Sequence, residues 1–187
     1  MNTQLEKGRE IDVERLDDVP LLIGLQQRIA ISELIDAVIP RHWLHQGLSL
    51  GQLVVGWNSY ILSQADHRKV SVEDWGVEHQ QTLSSLLGSD VRRTDFTDDR
   101  LGQVLWHLSN DEVWQQIEKQ LWQRTVSVYR LIPDRVRLDA TRISGHHKPS
   151  DDGLMQHGYN SATPNLAQVK VMAASIDCGT SGHLLAL

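Results

Sequence analysis

VRLDATRISGHH, residues 136–147, sets one aspartate into an apolar run and follows it with a threonine, a serine and two histidines. Val136, Leu138 and Ala140 alternate with Arg137, Asp139 and Thr141. A period of two sends successive side chains to opposite faces, so the stretch predicts a strand. QVKVMAASID, residues 168–177, is a second apolar run rich in β-branched residues, and HLLAL at 183–187 begins a third, after a glycine-containing turn at 179–182. Three consecutive strands, two of them joined by a tight turn, predict an antiparallel meander.

Before Pro133 the period is different. In LSLGQLVVGWNSYILSQADH, residues 48–67, Ser49 is an N-cap with Gln52 three residues on, and Leu53, Val54, Trp57 and Ile61 follow at helical spacing. In FTDDRLGQVLWHLSN, residues 96–110, Thr97 can cap while Leu101, Val104, Leu105 and Leu108 trace one stripe. A third helix follows Asn110, with Val113, Ile117 and Leu121 on one face. Weaker patterns predict helices at 21–30, 32–38, 72–79 and 82–87, the last closed by Gly88. The fold class expected is α+β, with a helical domain over residues 1–132 and the strands over 133–187.

Charge is unevenly spread. The net charge is −6 overall, with 10 Lys and Arg against 16 Asp and Glu in residues 1–100 and 8 against 8 in residues 101–187. Between Arg124 and Lys148, six cations face only Asp134 and Asp139. Such a local excess is what attracts phosphate, and it surrounds the aspartate in question. Cys178 is the only cysteine, so neither an intrachain disulfide nor a thiolate metal cage can form, which fits a reducing compartment. No apolar run approaches the roughly 20 residues that span a bilayer, and the N-terminus has no signal-peptide pattern. The expected location is cytoplasmic, with no membrane partner.

Three blocks in order, DDRLGQVLWHL at 98–108, VRLDATRISGHH at 136–147 and GLMQHGYNSATPNLAQVKVMAASID at 153–177, resemble bacterial insertion-sequence DDE transposases with a helical N-terminal domain ahead of an RNase H-like core. The likeness covers about residues 15–187. It implies a two-metal enzyme, using Mg²⁺, that cleaves and transfers strands at transposon-end DNA; in such enzymes three carboxylates hold two ions about 4 Å apart. Asp139 matches the family's first aspartate, in the middle of the first core strand, and so would be both catalytic residue and metal ligand. Thr141 and Ser144 match the hydroxyl residues that usually follow. Tyr159, Leu166 and Gln168 keep the frame of a later motif, whereas Asn160 and Ala162 replace charged residues of the family. The family's second aspartate and its glutamate fall beyond anything corresponding to Leu187. The resemblance therefore implies the first three strands of an incomplete RNase H-like core, in a truncated transposase that is inactive alone and holds Mg²⁺ weakly.

Other acidic residues are poorer candidates. Antiparallel pairing of 140–143 with 168–170 puts Asp177 opposite Arg135, four residues along from Asp139. That is about 14 Å at roughly 3.4 Å per residue, too far to share a metal, and Asp177 is assigned to the turn. His146, His147, Asp151, Asp152 and His157 lack the fixed spacing of ligand pairs and read as loop residues. Asp98 and Asp99 read as the charged first turn of a helix. The tryptophans at 43, 57, 75, 106, 114 and 122 read as packing residues, of which one or two could stack on bases.

Two functions from different classes fit. One is the transposase reading, with transposon-end DNA as partner. The other is a non-enzymatic helical DNA-binding or oligomerisation remnant, associating with itself or with intact transposase. An end-binding helix should carry a basic stripe, for which Arg68–Lys69 and Arg92–Arg93 are the candidates. An incomplete sheet exposes apolar surface, so the chain is expected to be poorly soluble or self-associating.

Overall fold

In a computed structural model of the chain, the described residues are 13–40, 46–146, 148–150, 153–158, 165–178 and 182–186. Among them lie seven helices, α1 Val19–Arg28, α2 Ile31–Val38, α3 Leu50–Gln64, α4 Val70–Glu78, α5 Gln80–Leu87, α6 Asp98–Leu108 and α7 Asp111–Tyr129. Three strands follow, β1 Pro133–Gly145, β2 Ala167–Cys178 and β3 Gly182–Ala186. The protein is α+β, with its helices in the N-terminal part. Two compact units divide at Val128 and Tyr129. No helix among the described residues is long and apolar enough to cross a membrane.

The helical unit is organised on α3, whose start follows from its sequence. The Ser49 hydroxyl accepts from Gln52 N–H at 3.1 Å and the Gln52 side chain accepts from Ser49 N–H at 2.9 Å, so a reciprocal box satisfies two otherwise orphaned donors. Leu53, Val55 and Tyr60 are buried on α3 beside Val19 and Ile23 of α1, Ile35 of α2, Val72 and Trp75 of α4, Leu83 of α5, and Leu101 and Val104 of α6. Gly51 lets α3 approach α2 closely, since a Cβ there would overlap the Ser32 carbonyl. Gln26, also buried, donates to the Ser59 hydroxyl at 2.9 Å and to Val55 C=O at 3.2 Å, tying α1 to α3 by polar contacts within the core.

Helix ends depart from the sequence pattern in instructive ways. Helix α5 begins two residues earlier than its apolar spacing indicates, because Glu14, far away in sequence, supplies its cap. The Glu14 carboxylate accepts from Gln81 N–H at 2.8 Å, Thr82 N–H at 2.8 Å and the Thr82 hydroxyl at 2.6 Å. Gly88 closes the helix in the left-handed region, φ +64°, as its type suggested. At α6 the N-cap is Thr97, but its side chain makes no capping hydrogen bond. Asp98 and Asp99 occupy the first turn, where negative charge complements the helix dipole.

The Glu14 cap makes stability pH-dependent. Burial raises its pKa, but the Thr82 hydroxyl and the two backbone donors outweigh that and hold it below the usual glutamate range. A carboxyl depressed in the folded state contributes stability that is fully present above its unfolded value of about 4.3 and is lost as pH falls through the folded value. Urea midpoints of wild type and Glu14→Gln should therefore differ most at neutral pH and converge as pH drops below about 4. A difference that stays constant with pH would refute the cap as an acid-labile contact.

The sheet is an antiparallel meander in the order β1-β2-β3, as the period of two indicates. Arg142 pairs with Lys170, Asp139 with Ala173 and Arg135 with Asp177; β2 continues to β3 through Ser175 opposite Leu185. Asp177 thus belongs to strand β2, opposite His183, and not to the turn assigned to it from sequence. The pairing with β3 extends the ladder past the point where the apolar pattern ends. Val136, Leu138 and Met172 on one face are all more than half exposed.

Candidate functional site

Asp139 stands in the seventh position of the thirteen-residue strand β1. Its partner across the ladder is Ala173, so Arg137 and Thr141 along its strand and Val171, Ala173 and Ser175 along the next share its face. Both pairing alanine and position leave it open: Asp139 is exposed, and its Oδ1 accepts from Ala140 N–H at 2.8 Å. Small residues opposite a carboxylate leave room for a large ligand. Asp177 is four register steps away, opposite Arg135.

The DDE resemblance implies two Mg²⁺ ions held by three carboxylates. Among the described residues no group of three or more His, Cys, Asp or Glu could hold a metal ion. One monodentate carboxylate leaves most of the coordination sphere to water, so the described residues do not fit a two-metal centre. His146 and His157 are exposed and form no such group. His147, Asp151, Asp152, Tyr159, Asn160, Ala162, the turn at 179–181 and Trp43 lie outside the described residues.

The basic candidates of the helical unit are mostly committed to carboxylates. Arg68 forks onto Asp66, with Nε to Oδ1 at 3.0 Å and Nη2 to Oδ2 at 2.9 Å. Tyr60 donates to the same carboxylate at 2.6 Å. The Arg68 and Tyr60 hydrogen bonds hold the Asp66 carboxyl well below the usual range, while burial first and the Asp66 contact second raise the Tyr60 phenol. Lys69 pairs with Asp98 at 3.1 Å and Arg92 with Asp95 at 3.2 Å. Arg93, by contrast, is exposed and has no carboxylate partner among the described residues. A continuous basic stripe is therefore not assembled from these four.

Two residue groups carry no sequence signal of comparable strength. Asp95, fully buried, gathers Arg100, Arg92 and two backbone N–H groups. On the sheet, Arg142 and Lys170 oppose one another beside a cleft. What no local pattern announces is the contact of Asp95 with Leu48, 47 residues away, and the bridge from Gln156 to Gln168 that forms the cleft. Trp57 and Trp75 are core residues as expected, whereas Trp106 is 72% exposed and Trp114 46%.

Residues 11–121 match the family described as a domain of unknown function, DUF4277, and the chain belongs to that family. The match lies within the helical unit. No curated protein and no solved structure matches the chain.

Proposed function

We propose that the chain is a part of an insertion-sequence DDE transposase that engages transposon-end DNA, with Asp139 as the first carboxylate of an RNase H-like catalytic core. The observation that carries this reading is the placement of Asp139: mid-strand, exposed, in the first strand after a helical unit, on an antiparallel meander. Membership of a family commonly found in transposase-like proteins supports it. Among the described residues no group of three or more His, Cys, Asp or Glu could hold a metal ion, so Asp139 would be one carboxylate of an incomplete set. Strand cleavage would need carboxylates beyond Asp139 to complete the metal site.

The test is nicking of a labelled DNA bearing the element's terminal repeats, with Mg²⁺ or Mn²⁺. The expected outcome is no cleavage by the unaided chain, no difference in Asp139→Ala, and retention of the terminal-repeat DNA by both in a gel-shift assay. Cleavage by the unaided chain that disappears in Asp139→Ala would sink the claim of inactivity. Failure to bind terminal-repeat DNA would sink the DNA partner.

The exposed Trp106 and Trp114 on consecutive helices favour a second reading, a non-enzymatic module that associates with itself or with intact transposase. Sedimentation separates the two: this reading requires a dimer or larger species that Trp106→Ser weakens.

A further inference from the structure

We propose that the outer edge of β1 pairs antiparallel with the same edge of a second copy of the chain, about a two-fold axis at Leu138. This rests on the self-association reading above and names its contact surface. Among the described residues β1 is an end strand of the sheet, paired with β2 alone. The two end strands differ in length, β3 having five residues and β1 thirteen. A short end strand offers little to pair with, whereas a long one presents a row of N–H and C=O groups that another chain can take up. From Arg135 to Gly145 the register with β2 has no bulge to turn that edge aside. Every residue from Arg135 to Ile143 is exposed.

Charge identifies the occupant. In a symmetric antiparallel pair each residue faces the one equally far from the axis on the other copy, so the contact is self-complementary. With Leu138 on the axis, Arg137 faces Asp139 on both sides of it, Val136 faces Ala140 and Leu138 faces itself. Unlike charges directly opposite one another stabilise a strand pair, and like charges destabilise it. Neighbouring registers lose this match. An axis at Arg137, Asp139 or Arg142 sets that residue against its own charge, and one at Val136 sets Arg135 against Arg137. An axis at Ala140 or Thr141 leaves Asp139 facing Thr141 or Ile143.

The side chains suit that register. Arg137 and Asp139 are two residues apart on one strand and so share a face, as a facing pair requires. Asp139 Oδ1 accepts from Ala140 N–H at 2.8 Å, which leaves Oδ2 for a guanidinium across the axis. Arg137 is engaged within its own chain. Its guanidinium has five donors, so it can keep that contact and meet the carboxylate as well. On the other face the axis brings Leu138, 68% exposed, against its copy, with Val136, 64% exposed, beside it. The pairing thus covers apolar surface that the sheet of a single chain leaves to solvent.

The test is sedimentation velocity of the full chain at micromolar concentration, where wild type should form a dimer. Arg137→Asp sets an aspartate against Asp139 on both sides of the axis, and Asp139→Arg sets an arginine against Arg137. Each should weaken the dimer about tenfold or more, since two attractive pairs become repulsive. The double variant Arg137→Asp/Asp139→Arg restores both unlike pairs and should dimerise as wild type does. An equimolar mixture of the two single variants should form the mixed dimer, each chain supplying the charge the other lacks; a strand that had merely misfolded would not recover on mixing. Failure of either restoration overturns the register. A dimer indifferent to both single changes overturns the edge and, where Trp106→Ser weakens it, leaves the self-association reading standing. A wild type that stays monomeric overturns both.

Discussion

Asp95→Ala is expected to cost about 3–5 kcal/mol of folding stability, the range found when one partner of a buried pair is removed. Asp95 is fully buried, and its carboxylate is the meeting point of two chain segments. Oδ2 accepts from Arg92 N–H at 2.7 Å; Oδ1 takes the Arg92 Nη2 at 3.2 Å, the Leu48 N–H at 3.4 Å and the Arg100 Nη1. Arg100 also donates from Nη2 to Leu48 C=O at 2.9 Å, so one guanidinium and one carboxylate join the loop before α3 to the turn before α6. Gly47 completes the arrangement: its φ of +82° suits glycine, and a Cβ would overlap both Arg92 and Asp95.

Taking away the carboxylate removes the buried counter-charge of Arg100, whose side chain is only 15% exposed. Most of the loss should come from that uncompensated charge and the orphaned donors, not from the ion pair itself. The double variant Asp95→Leu/Arg100→Met should accordingly recover much of what Asp95→Ala loses. Urea denaturation checks both statements. A loss under about 1 kcal/mol in Asp95→Ala, or a double variant worse than the single, would show that the pair is not the organising contact.

How much of this was legible in the sequence depends on how local each signal is. The α3 capping box, the Gly88 C-cap and the alternation through Val136–Ala140 are encoded within a few residues, and each corresponds to an element of the structure. The start of α5 is set by Glu14, some 67 residues before Gln81, and no window of local periodicity contains that contact. Asp95 illustrates the limit further. Within TDFTDDR its carboxylate is indistinguishable by type from Asp98 and Asp99, yet those two lie in a helix's first turn while Asp95 is buried among arginines. Only the path of the chain separates the cases. The basic pairs were misleading for the same reason: Arg68, Lys69 and Arg92 look available in sequence and are held by Asp66, Asp98 and Asp95 in space. The strand register was accessible because the period of two in each apolar run must keep its side chains on matching faces, which leaves few antiparallel alignments. The opposition of Arg142 to Lys170 followed from that register, but the cleft beside it depends on the bridge from Gln156 to Gln168, which no period announces.

Phe96→Ala should be comparably damaging, about 3–5 kcal/mol, because the ring fills a slot that two glycines make. Phe96 is the only phenylalanine in the chain and is 1% exposed. A Cβ on Gly56 of α3 would lie 2.5 Å from its Cζ, and one on Gly76 of α4 would lie 2.7 Å from its Cδ2. Trp75 meets the ring edge to face, with centroids 6.3 Å apart. Removing the ring therefore leaves a cavity walled by two helices and an indole, whose rigid backbones limit collapse. The same geometry predicts a sign change. With Phe96 in place, Gly76→Ala should destabilise by about 1–3 kcal/mol through overpacking. With Phe96→Ala the overlap is gone, so the added methyl occupies part of the cavity, and alanine's better helix propensity adds about 1 kcal/mol in its favour. Measured by urea denaturation, Gly76→Ala should then be destabilising in wild type and stabilising in Phe96→Ala. Equal effects in the two backgrounds would mean that glycine and ring do not share the slot, because substitutions without a shared contact add.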